Sequence, residues 1–192
     1  YTFNVLRMTL SATGQLGVGL TPAYKLDVAD DINLNPGTFP NFGYRWNGDI
    51  ILKSSNNSNI YVGYDAGNFS MGNNNTFVGS STGNSNTSSG GGNTFIGNNS
   101  GSNASTADES TFVGNESGQF ALGSLNSFFG TLAGKYSGGG FRNVYLGYSS
   151  GASSTGSSNT FVGFNSGENN TADRNTFIGE NSGQNNTSGS RN

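Results

Sequence analysis

Eleven carboxylates, with no histidine and no cysteine, limit the chemistry this chain could perform. Without imidazole or thiol there is no Ser-His or Cys-His pair, no disulfide and none of the usual zinc ligand sets. The acids are Asp27, Asp30, Asp31, Asp49, Asp65, Asp108, Glu109, Glu116, Glu168, Asp173 and Glu180. Cleaving a glycosidic bond requires two carboxyl groups about 5–10 Å apart across a cleft. Asp108-Glu109 are neighbours, but they fall in a polar loop, where a solvated turn accounts for them. Oxygen-rich loops at Asp30-Asp31 or Asp108-Glu109 could hold a hard cation. A calcium-binding β-roll, however, needs a recurring aspartate, and no column of this sequence is acidic. The reading is no enzyme, no catalytic residue, no metal and no cofactor.

Two other residue sets could act by binding. Thr76, Thr94, Thr111, Thr160 and Thr176 recur at one register, as a flat ice-binding rank would, yet the same register holds Ile60, Ser127 and Val144. Tyr64, Tyr148 and Phe164 share a second register among polar residues and are the candidate glycan or receptor contacts. Contact with a neighbouring chain explains these three aromatics equally well.

The element that must position these residues is a repeat. Asn-Thr-Phe-Val-Gly or a close variant occurs eight times at intervals of 16 to 18 residues, each with a second glycine after three intervening positions. A unit this short cannot bury a core alone, so it must stack on its neighbours as a solenoid. The aromatic column is Tyr61, Phe77, Phe95, Phe112, Phe128, Tyr145, Phe161 and Phe177. The next residue is always apolar: Val62, Val78, Ile96, Val113, Phe129, Leu146, Val162 and Ile178. Adjacent strand residues face opposite sides, so one column fills the coil and the other calls for cover from outside. Around a three-fold axis, sister chains would supply it. Which column faces the axis is not fixed by the pattern. The position opening each strand is Asn in seven of eight repeats, which suggests a hydrogen-bonded ladder between rungs. The glycines suit left-handed corners, and the small residue before the second one suits a crowded bend.

Composition agrees. Gly occupies 32 positions and 10% of residues are charged, while Leu, Ile, Val and Phe together reach only about a fifth, near the level at which disorder is the default. The single register of the aromatics and a net charge of −3 argue for order. Eight Lys plus Arg with no basic run leave nucleic-acid binding without an electrostatic footprint. No apolar run reaches membrane-spanning length. The sequence begins at Tyr1 without a methionine, so we expect a fragment.

Three sections follow: an N-terminal β section over 1–34, a connecting β-hairpin section over 35–58, and a β-solenoid of eight repeats over 59–192. In the first, Leu6, Met8 and Leu10, then Leu16 and Val18, then Tyr24, Leu26 and Val28 alternate as short strands, with a turn at Thr13-Gly14. In the second, Tyr44 and Trp46 precede Asn47-Gly48, with Ile50 and Leu52 beyond, which is a hairpin pattern. The predicted class is all-β: a parallel β-roll or β-solenoid of short glycine-rich repeats in an intertwined or side-by-side homotrimer.

Gly14-Gln15-Leu16-Gly17-Val18-Gly19-Leu20-Thr21-Pro22, followed by Lys25-Leu26-Asp27-Val28, resembles a segment common in phage tail fibres and bacterial surface proteins, N-V-G-I-G-T-x-x-P-x-x-K-L-D-V. Leu20 stands where Thr is usual, and Asp30-Asp31 where Asn-Gly is common. The repeats resemble those found downstream of it in such proteins. More distantly, they are similar to the β-roll heads of trimeric autotransporter adhesins, whose repeat carries S-V-A-I-G. The resemblance implies a homotrimeric, non-enzymatic structural fibre segment in a virion tail fibre or on a bacterial cell surface. Its partners would be sister chains, neighbouring fibre or baseplate proteins, and a glycan or protein receptor. A self-assembling extracellular filament is the remaining structural alternative.

Overall fold

The computed structural model describes residues 8–10, 16–18, 26–28, 42–46, 49–55, 58–70, 72–86 and 90–192, those before 58 as strand backbone. It divides the chain into two compact units, Tyr1–Thr38 and Phe39–Asn192. In the first, β1 (Met8–Leu10) pairs antiparallel with β2 (Leu16–Val18), which pairs parallel with β3 (Leu26–Val28). These strands fall on the predicted alternations. Leu6, Thr13-Gly14, Tyr24, Asp30-Asp31 and Asn47-Gly48 lie outside the described residues.

The second unit is built on one ten-stranded sheet. β4 (Phe42–Trp46) and β5 (Asp49–Ser55) form the hairpin, with Trp46 opposite Asp49. β5 then pairs antiparallel with β6 (Asn59–Val62), Leu52 opposite Val62, so the hairpin occupies the outer edge of the first repeat strand. An unpaired edge would invite association, and a covered one does not.

From β6 onward the pairing is parallel. The strands are β7 (Thr76–Val78), β8 (Thr94–Ile96), β9 (Thr111–Val113), β10 (Ser127–Phe129), β11 (Val144–Leu146), β12 (Thr160–Val162) and β13 (Thr176–Ile178). Each pairs with the next in strict register, aromatic opposite aromatic. Each repeat is therefore one coil, and the all-β solenoid expected from the sequence is the observed fold.

The coil closes around a single aromatic ring. Phe77, Phe95, Phe112, Phe128, Tyr145 and Phe161 are fully buried and Tyr61 nearly so; Phe177, in the last coil, is partly buried. Their rings stack along the axis with centroids 4.6–5.3 Å apart, the spacing of neighbouring strands. Small residues complete the interior: Ala66, Thr82, Ser100, Ser117, Ala133, Ser150 and Ser166 are buried beside the stack. The repeated glycines are required by this tightness. Gly118 has φ +57, and a Cβ there would run into the Phe112 ring; Gly114 has φ +138, and a Cβ there would run into the Gly130 carbonyl of the next coil.

The asparagine column closes the coil and links it to the next. Asn143 Oδ1 accepts the Asn159 backbone N–H at 2.8 Å, while its Nδ2 donates to the Gly156 carbonyl, near the end of its own coil, at 3.0 Å. Asn93, Asn126 and Asn159 do the same. The predicted ladder thus runs from amide to backbone and not from amide to amide. Where Ser110 replaces Asn, its hydroxyl still accepts the Asn126 N–H, at 3.2 Å. Where the core aromatic is Tyr145, a buried Ser154 accepts its phenol at 2.9 Å, and burial pushes that phenol's pKa far up.

Phe112→Ala would open a cavity that coils fixed on both sides cannot collapse. We expect a loss of about 3–5 kcal/mol per chain in denaturant unfolding followed by circular dichroism. An unchanged midpoint would contradict the buried stack.

Candidate functional site

With the interior filled by one ring per coil, the surfaces left for function are columns on the outside. Both strand residues flanking the aromatic point out. One column is Ile60, Thr76, Thr94, Thr111, Ser127, Val144, Thr160 and Thr176; the other is Val62, Val78, Ile96, Val113, Phe129, Leu146, Val162 and Ile178. All are half-buried or exposed, Leu146 at 49% and Ile178 at 71%. The column that sequence left unassigned is therefore the outer one. The threonine rank lies on the same face, two residues away on each strand. This face carries no charge across eight rungs, although every other outward side of the coil is rich in Asn, Ser and charged groups.

The three predicted aromatics are exposed at the corner just beyond this face. The structure joins two of them: the Tyr148 and Phe164 rings stack at 5.4 Å with planes 10° apart. Tyr64 stands five coils away, about 24 Å at the rung spacing, behind Ser80, Asn98, Asn115 and Thr131. Because the paired rings lie face to face, each keeps only one open face. A second exposed pair, which sequence reasoning missed, is Phe120 and Tyr136, at 5.5 Å and 9°. Its signal was available: both residues lie eight positions after a core aromatic. Lys135 Nζ sits 5.0 Å from the Tyr136 centroid and 2.5 Å from Glu116 Oε2. The Glu116 hydrogen bond holds the lysine pKa above its ordinary value, as a stabilised cation should be.

Asp108, Asp173 and Glu168 accept structural hydrogen bonds. Asp108 Oδ1 accepts the Gly91 N–H of the preceding coil at 2.6 Å, and Asp173 Oδ1 accepts the Ser157 N–H at 2.8 Å. Glu168 accepts from Gln184 at 2.7 Å. Glu109 is exposed in a left-handed corner at φ 48. Among the described residues, no three acids, histidines or cysteines gather to hold a metal ion, and no helix is long and apolar enough to cross a membrane. No protein-family model, curated protein or solved structure matches the chain.

Replacing Tyr64, Tyr148 and Phe164 together with Ser removes exposed area and one ring contact. We expect a loss of no more than about 1–2 kcal/mol and unchanged circular dichroism. A collapse comparable to that of Phe112→Ala would place these rings in a buried contact.

Proposed function

We propose that the chain is a non-enzymatic structural segment of an extracellular fibre, of the phage tail-fibre kind, which projects or forms part of a host-receptor-binding device. Its work is mechanical. Coils locked by in-register strands, stacked rings and an asparagine ladder resist bending and keep a fixed rise per repeat, so length is encoded by repeat number. The observation that carries this reading is the uncharged, mostly β-branched outer strand face, which continues unbroken over eight rungs.

That face supports assembly into a homotrimer. Three strand residues by eight rungs give a footprint of about 10 by 38 Å, roughly 400 Å², within the range of the largest apolar patch on a typical monomer, a patch that is often functional. A stable pairwise interface removes about 800 Å² from each partner, so one face against one other chain falls short. Around a three-fold axis the face would be shared between two neighbours, the threonine column on one side and the apolar column on the other, so what supports the trimer is that the face is continuous and uncharged, and not its area. Attachment by several weak contacts on three chains would gain from avidity. A bacterial trimeric adhesin shaft uses the same mechanics and is the alternative host structure. The outward threonine rank supports a second reading, ice binding, against which stand the interruptions at Ile60, Ser127 and Val144.

Sedimentation velocity tests the assembly. We expect the mass of three chains for the native protein, and dissociation when Val113→Lys and Leu146→Lys place charges on the outer column, because each buried ammonium would lack a partner. A stable, cooperatively folding monomer would overturn the trimer. Thermal hysteresis above that of the Lys variants would favour the ice-binding reading.

A further inference from the structure

We propose that a groove on coils five to seven, beside the strand face, binds a carboxylate-bearing polysaccharide through Arg142 and Arg174. This goes beyond the fibre reading, which would stand if it failed. Residues 59–192 contain four cations, Lys135, Arg142, Arg174 and Arg191, in a chain of net charge −3. Three of them occur as Arg-Asn, at 142-143, 174-175 and 191-192, directly before the inward asparagine position. They therefore share one exposed column.

The fold does not ask for arginine there. All three backbones are left-handed, at φ 59, 60 and 64, a conformation that disfavours any side chain. They are held by N–H bonds to the preceding coil, Arg142 to the Ser124 carbonyl at 3.3 Å and Arg174 to the Ser157 carbonyl at 3.0 Å. Elsewhere the same column accepts Ser58, Asn74, Glu109 and Leu125. Nor is the charge spent internally. The ion pair found among the described residues is Lys135–Glu116, on another side of the coil; Asp173, which also lines the groove, accepts the Ser157 N–H through Oδ1 and keeps its negative charge, so the two arginines exceed it by one.

The arginines border a groove of about 230 Å³ lined by Phe141, Arg142, Ser157, Ser158, Asp173 and Arg174. The Arg142 guanidinium lies 5.3 Å from the Phe141 ring centroid, a contact that restricts the side chain before any ligand arrives. Arg142 and Arg174 are two rungs apart, about 10 Å at the strand spacing. That is the separation of their backbones; both side chains are long enough to converge on one anion, so a single-anion site is the alternative that the phosphate arm of the test distinguishes. A polymer with a carboxylate on successive or alternate sugars can present one to each guanidinium as a bidentate pair, with Ser157 and Ser158 near enough to meet ring hydroxyls.

Calorimetric titration of the full chain with polygalacturonate, dextran and inorganic phosphate tests this. At about 20 mM salt we expect polygalacturonate to bind, dextran and phosphate not to, and the binding to be lost at about 0.5 M salt. Arg142→Gln with Arg174→Gln should weaken it about tenfold at unchanged unfolding midpoint and sedimentation, while Lys135→Gln should change it less than twofold. The proposal fails if the wild type does not prefer polygalacturonate to dextran, or if the double variant binds as well as wild type. It also fails if Lys135→Gln costs as much, which would mean diffuse charge, or if phosphate competes fully, which would mean a single-anion site. A double variant that changes the assembly state would assign these arginines to a contact between chains.

Discussion

One aromatic ring per coil is the constraint on which the rest depends. An interior one ring wide leaves room beside it only for Gly, Ala, Ser, Thr or Asn, which is why Gly118 must lie against Phe112 and why Ser100, Ser117 and Ala133 are buried where larger side chains would not fit. The ring centroids lie 4.6–5.3 Å apart, close to the usual spacing of hydrogen-bonded strands, so stacking and backbone pairing reinforce the same register. A slip of one residue would turn every ring outward and every apolar neighbour inward. The asparagines add a second lock. Asn59, Asn93, Asn126, Asn143 and Asn159 each satisfy one backbone N–H on the next rung and one carbonyl of their own coil, groups that burial would otherwise leave unpaired.

A filled, narrow core has a functional consequence. Among the described residues the interior of the coil is filled by the ring stack and the small residues beside it, so the surfaces left for function are the outer columns. The fold serves those columns by repeating them at fixed spacing. A chemical choice made once becomes a stripe when it recurs, as with the uncharged strand face. Made twice, it becomes a pair, as with Tyr148–Phe164, Phe120–Tyr136 and Arg142–Arg174. Left-handed corners tolerate this variation because their geometry is fixed by backbone bonds to the adjacent coil and not by the side chain they carry.

The periodic part of this architecture was legible in the sequence. Phe at one register, glycine two and six positions on, and Asn two positions before it state a coil almost completely, because each obeys a local requirement that recurs without exception or nearly so. What repeats only in part was harder to read. Tyr64 shared a register with Tyr148 and Phe164, but register alone does not say which coils are adjacent enough for rings to touch. Phe120 and Tyr136 occupy a column that otherwise holds Phe69, three coils before Phe120, and Ser or Asn, so they did not stand out as a pair. The docking of β5 on β6 was not legible either, since it is a long-range choice of edge with no motif of its own. Which apolar column faces inward followed only from the closed coil, because strand alternation is symmetric between the two faces.

The central claim is that each coil buries its aromatic within the chain and offers its other apolar column to sister chains. Solvent paramagnetic relaxation by a neutral soluble nitroxide, read on methyl-labelled Ile and Val and on ring-labelled Phe, tests it directly. In the assembled protein we expect strong protection at Ile96, Val113 and Val162, rising to full exposure in the Val113→Lys/Leu146→Lys form at the methyls that remain, while the Phe112 and Phe128 rings stay protected in both. Full relaxation of the Ile96, Val113 and Val162 methyls in the native protein would contradict the account, because it would mean that the outer face is bare.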